Sequence, residues 1–167
     1  MKWIFITLGS LVLVGVLIYA IGYFMSIGHT ATVEKKFKIN KDELWDILTN
    51  YKGYTEWRRG IKELIVDDAD QWTEINDYGD IVHYQLEIAE EKRIMTIRIM
   101  NKDLPYGGFW EFIIDPQEEG CSLKITESGE VYSPVYRFMS KYIFGHDTTL
   151  KNYMEDLETK VNASVKP

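Results

Sequence analysis

The polar and apolar positions along the chain divide it into two unequal parts. From Trp3 to Gly28, 26 consecutive residues carry no Asp, Glu, Lys, Arg or His. A helix crossing a hydrocarbon core of roughly 30 Å needs about 20 apolar residues, so WIFITLGSLVLVGVLIYAIGYFMSIG is predicted to span a membrane. Trp3 at one end and Tyr19 and Tyr23 near the other suit the preference of aromatic rings for the interface. Gly9, Gly15 and Gly22 are tolerated there, because lipid offers the backbone no partner outside the helix. A cleavable signal peptide has a shorter apolar run of about 7–15 residues ending in a small-x-small site. The segment GYFMSIGHTA matches that site weakly, so residues 1–28 are read as a retained anchor. Lys2 precedes the helix and Lys35, Lys36, Lys38 and Lys41 follow it. These flanking charges leave the side of the membrane open.

After residue 28 the period shortens. His29 to Lys38 reads as a strand, with Thr30, Thr32, Val33 and Phe37 supplying β-branched and aromatic content. Asn40 is placed as an N-cap, with Glu43 three residues on as its capping-box partner. The helix it opens buries Leu44, Trp45, Ile47 and Leu48 and ends near Asn50 to Gly53; YKGYTEWRRG then reads as a short helix or turn. Six strands follow at hairpin spacing, near Ile61–Asp67, Gln71–Asn76, Ile81–Glu90, Lys92–Asn101, Gly108–Asp115 and Cys121–Val131. Val82, Tyr84, Leu86 and Ile88 share one register, as do Met95, Ile97 and Ile99; Trp110, Phe112 and Ile114; and Cys121, Leu123 and Ile125. Their neighbours are mostly polar, so each strand has one dry and one wet face. The Gly107–Gly108 pair is assigned to a hairpin turn.

One long helix is predicted to close the chain, with Ser133 as its cap and Pro134 at the first helical position. Val135, Phe138, Met139, Tyr142, His146, Leu150, Tyr153, Leu157 and Val161 recur every three or four residues as a single stripe. Arg137, Lys141, Lys151, Glu155 and Glu158 lie away from it, and Gly145 marks a kink or a close packing point. A dry sheet face needs a cover, and an amphipathic helix supplies one. The fold class is therefore α+β: an antiparallel sheet wrapped on a C-terminal helix, residues 29–167, behind the transmembrane helix.

Composition narrows the chemistry. With Lys2 set aside, 18 of the 19 Lys+Arg face 26 Asp+Glu in the remainder, and an acidic surface of this kind repels phosphate backbones, which excludes nucleic acid as a partner. Cys121 is the single cysteine, so no internal disulfide forms, and it reads as a small buried hydrophobe. His29, His83 and His146 are too scattered for a metal cluster, and no cofactor motif, phosphate loop or nucleophile elbow is present.

Three stretches resemble a known superfamily. INKDELWDILTNYKGYTEWRRGIKEL, EEGCSLKITESGE and SPVYRFMSKYIFGHDTTLKNYMEDLE are similar to the cap and first helix, the penultimate strand and the closing helix of START-like proteins, also called SRPBCC or Bet v 1-like. Within that superfamily the likeness is to the polyketide cyclase/dehydrase type. The resemblance implies a β-α-α-β6-α helix-grip fold enclosing an apolar cavity for lipids, sterols or polycyclic molecules. It places Tyr54 and Trp57 near the mouth, gated by the Tyr54–Gly60 turn. Tyr84, Met95, Ile97, Trp110 and Phe112 would line the sheet side, and Phe138, Met139 and Tyr142 the helix side. Each of these residues also fits a role as plain core filling. Arg98, Glu127 and Arg58 or Arg59 are the charged candidates for polar anchors. His146 and Glu127 are weak candidates for an acid or base. Three functions remain: a membrane-anchored binding domain for a hydrophobic small molecule or lipid, a cyclase/dehydrase-like enzyme, and an interaction domain with a filled core.

Overall fold

The computed structural model describes residues 2–165; Met1, Lys166 and Pro167, at the ends of the expected segments 1–28 and 29–167, lie outside the described residues. The chain opens with α1 (Lys2–Tyr23) and, after a short link, enters β1 (Gly28–Phe37). Within α1, Ile6–Tyr23 is long and apolar enough to cross a membrane, a property shared by retained anchors and signal sequences.

The Asn40 side chain begins α2 (Lys41–Thr49) by accepting from the Glu43 backbone N–H at 2.9 Å, and Asp42 and Glu43 complement the helix dipole in its first turn. Leu44, Trp45 and Leu48 fall on one face and are buried, with Ile47 packed at the edge of the same core. A 3-10 turn (Tyr51–Glu56) carries the chain into β2 (Ile61–Val66), β3 (Gln71–Asn76), β4 (Ile81–Glu90), β5 (Ile94–Ile99), β6 (Tyr106–Pro116) and β7 (Cys121–Val131). All seven strands form one antiparallel sheet in the order β1-β7-β6-β5-β4-β3-β2. The first strand thus closes against the last, by a run of ten paired residues from Gly28↔Glu130 to Phe37↔Cys121.

The closing helix differs from its prediction. It is broken into α3 (Pro134–Met139), a π-helical segment (Ser140–Phe144) and α4 (Thr148–Val165). Gly145 stands at the break with φ 84° and ψ 139°, a backbone conformation that side chains disfavour. The Thr148 hydroxyl donates to the Phe144 carbonyl across it. The π segment changes the helical phase, so the long stripe does not stay on one face. Its second half is core: Leu150, Tyr153, Met154, Leu157 and Val161 are buried against Phe112, Ile114, Leu123 and Ile125. Its first half is not, since Val135 and Tyr142 are exposed, whereas Arg137, predicted to face outward, is buried. Ser133 precedes α3 but its side chain makes no capping hydrogen bond.

Candidate functional site

Between the inner sheet face and the broken helix lies a cavity of about 470 Å³. Strand register builds its wall. Tyr84 stands opposite Trp72, Ile97 opposite Trp110, and Trp110 in turn opposite Glu127, so inward positions form rows across the sheet. Tyr153 of α4 meets Trp110 and Phe112 edge-on, at ring separations of 5.4 and 5.9 Å. The exposed lining residues, among them Glu130, Tyr136, Phe144, Thr148 and Thr149, mark the mouth beside the Gly145 break.

The floor is charged. Arg58 Nη1 donates to Glu74 Oε1 at 2.6 Å, with the two side chains 18% and 7% exposed. The same carboxylate oxygen accepts from the Trp72 indole N–H at 2.9 Å. The guanidinium also lies over the rings of Tyr54 and Tyr153, 4.7 and 5.3 Å from their centroids. Burial pushes the Tyr54 phenol up to about 12 and also raises those of Tyr84 and Tyr153 above their ordinary value. These phenols are therefore neutral at physiological pH. The Tyr153 hydroxyl is buried with no hydrogen-bond partner.

A second polar group lies towards the mouth. His146 Nδ1 is 3.0 Å from the Ser140 hydroxyl, its ring stacks on His29 at 4.2 Å, and His29 Nε2 is 3.7 Å from Glu127 Oε1. Burial, and then the neighbouring His146, lower the His29 pKa. Burial raises the Glu127 carboxyl, with the Trp110 indole acting against it. His29 Nδ1 and Glu127 Oε2 are both buried without partners. Sequence neighbours make the room: a Cβ on Gly129 would lie 2.6 Å from His29 Nε2, and one on Gly108 2.9 Å from the Gly129 Cα. Gly107 and Gly108 belong to β6 and line the cavity, in place of the expected hairpin turn. Their register opposite Glu130 and Gly129 puts them well inside the sheet.

Of the residues singled out by sequence, Tyr84, Ile97, Trp110 and Phe112 line the cavity. Tyr54 and Met95 are buried in the core beneath it, and Trp57 packs edge-on against Tyr54 and Tyr153. Phe138 and Tyr142 pack on each other, 5.0 Å apart, outside the lining, and Met139 does not line it either. Arg58, Glu127 and His146 do line it, with His146 in the turn after Gly145 and off the helix stripe. Arg98 lies on the outer face with Glu87 and Phe109, and Arg59 ties the loop before β2 to Asp156 and Glu155 of α4. Trp72, Glu74 and His29 went unforeseen as lining residues. Alternation within Gln71–Asn76 puts Trp72 and Glu74 on one face, and this was the available signal. No group of His, Cys, Asp and Glu able to hold a metal occurs among the described residues.

No family model matches this chain, and no curated protein matches its sequence. Solved structures do match in shape. A START superfamily protein from Mycobacterium smegmatis superposes with a TM-score of 0.63 at 16% identity, over 83% of this chain and 99% of that one. A conserved protein from Geobacillus kaustophilus gives 0.67 at 15%, over 82% and 95%. Norcoclaurine synthase from Thalictrum flavum, solved with dopamine and hydroxybenzaldehyde, gives 0.65 at 11%, over 85% and 90%. Identities this low speak for architecture alone. The seven-stranded antiparallel sheet gripping a C-terminal helix is the START-like, Bet v 1-like helix-grip fold.

Proposed function

We propose that this chain is a membrane-anchored binding domain for a hydrophobic small molecule or lipid, with residues 1–28 as the anchor and 29–167 as the binding domain. The observation that carries this reading is the cavity of about 470 Å³ beneath the broken helix. Ligand pockets typically measure about 300–1,000 Å³, with apolar walls and a few polar anchors. Here Tyr84, Ile97, Trp110 and Phe112 supply the wall, and the unpartnered Tyr153 hydroxyl and Glu127 Oε2 supply polar handles. A ligand with an apolar body and a small hydrogen-bonding head matches that distribution. The open space favours binding over an interaction domain with a filled core. Tethering through α1 keeps the cavity close to lipid, which suits a lipid ligand.

A second reading, an enzyme of the cyclase/dehydrase sort, draws on the His29–His146–Glu127 group at the mouth, which offers a buried base and a raised carboxyl in one place. It requires that His146→Ala and Glu127→Gln abolish any detected turnover. The binding reading is tested by filling the space with Ile99→Trp, since Ile99 lines the cavity. Solubilised membrane lipid is expected to raise the unfolding temperature of the wild-type chain and leave that of the variant unmoved. Equal shifts in both would overturn it.

A further inference from the structure

The anchor and the cavity mouth are joined by an unusual arrangement. Among the described residues of α1, Ile18 and Gly22 are the ones that are covered, and they lie one turn apart on a single face. A Cβ on Gly22 would overlap the Pro134 carbonyl, so the start of α3 lies directly against this helix. The buried Arg137 of α3 donates to the Met25 carbonyl at 2.6 Å, the Tyr132 carbonyl at 3.2 Å and the Tyr23 carbonyl at 3.5 Å. A guanidinium thereby caps the C-terminal end of α1, where the helix leaves carbonyls unpaired and its dipole is negative. The domain is clamped to the helix end, and α3 is fixed beside the last turn and a half of α1.

That position sets a depth. Ile18 lies about 8 Å along the axis from Tyr23, and helices that lie in a membrane interface bury their apolar faces by about 5–10 Å. What α3 and the π segment expose fits such a place. Tyr136, Tyr142, Ile143 and Phe144 are all exposed, Phe144 at 62%, and Phe24 at the end of α1 is 86% exposed. Pro134–Phe144 contains no Asp or Glu, in a chain with 26 of them, and its exposed charge is Lys141. An apolar face edged by one lysine, with tyrosines at interfacial depth, matches a bilayer surface. Tyr136 and Phe144 also line the cavity mouth.

We propose that the segment Pro134–Phe144 lies in the membrane interface next to α1, so that the cavity mouth opens onto the bilayer and lipid enters from there without crossing water. This rests on the reading of α1 as a membrane-spanning helix, and the experiment separates the two. The full chain carries an environment-sensitive fluorophore at one introduced cysteine: Ile143→Cys or Tyr142→Cys in the segment, Leu13→Cys in mid-α1, or Tyr78→Cys on the far β3–β4 turn, where the side chain is 94% exposed. It is reconstituted into phosphatidylcholine/phosphatidylglycerol vesicles holding lipids with a nitroxide near the headgroup or at the chain end. The expected result is loss of emission at 143 and 142 to the headgroup nitroxide, at 13 to the chain-end nitroxide, and none at 78. Quenching at 13 with none at 142 or 143 would overturn the interfacial contact and leave the anchor standing. No quenching at 13 would remove the anchor reading itself. Fluorophore-to-fluorophore quenching at 143 between copies, in place of quenching by lipid, would assign the face to a second copy of the chain and overturn the proposal.

Discussion

Replacing Glu74 by Leu leaves the Arg58 guanidinium in the cavity floor with two aromatic rings and no anion. The pair is close, 2.6 Å, and both partners are largely shielded, at 18% and 7% exposure. Removing one partner of such a pair typically costs about 3–5 kcal/mol, because the survivor stays buried and uncompensated. For a domain of this size, about 2–4 °C of unfolding temperature is lost per kcal/mol, giving a fall of about 6–20 °C. Glu74→Leu also strips the Trp72 indole of its acceptor, an added loss of about 1–3 kcal/mol, so it should exceed Arg58→Leu. The double variant Arg58→Leu/Glu74→Leu removes both charges and should be less damaged than the sum of the singles. Thermal unfolding of the four proteins, followed by circular dichroism in one detergent, measures the cycle. Single losses under about 1 kcal/mol, the size expected of a surface pair, would refute a buried charged floor.

Three further outcomes are expected. Because burial raises the Glu127 carboxyl above its ordinary value of 4.5, the folded state disfavours its ionised form. Glu127→Gln should therefore raise the unfolding temperature at neutral pH, with the gain fading as pH falls and vanishing below 4.5; a gain that grew on acidification would contradict this. The His29 pKa is lowered from 6.5, so the unfolded chain takes up this proton first. Stability should drop as pH falls below 6.5, and His29→Gln should flatten that part of the profile in a pH series of melts. Cys121 is fully buried and burial pushes its thiol up to about 11, so a thiol reagent should label it only after denaturant is added. Labelling of the native chain would show that β7 opens.

Much of the sheet was legible because its rule is local. Three of the predicted strands, Gln71–Asn76, Ile81–Glu90 and Cys121–Val131, have the bounds observed, and the Asn40 cap sits where its spacing to Glu43 put it. The closing helix was legible only in its second half. Leu150, Tyr153, Leu157 and Val161 keep one face to the core, but the π segment rotates Phe138 and Tyr142 out of line and Arg137 in. Nothing in a 3.6-residue period announces such a bulge, and Gly145 was its one visible sign. The cavity residues divide the same way. Strand alternation puts Tyr84, Ile97, Trp110 and Phe112 on dry faces and the family resemblance put them at a cavity, whereas the Arg58–Glu74 pair depends on how the loop before β2 folds and the His29–Glu127 pair on which strands meet across the sheet. Closure of β1 on β7 brings His29 within reach of Glu127, residues that are far apart in sequence.

The most direct test of an occupied cavity is native mass spectrometry of the full chain, released from detergent with and without Ile99→Trp. The expected result is a co-purifying apolar molecule that adds a discrete mass to the wild-type protein and is missing from the variant. Wild-type protein that carries no added mass, and acquires none when membrane lipid is supplied, would contradict it.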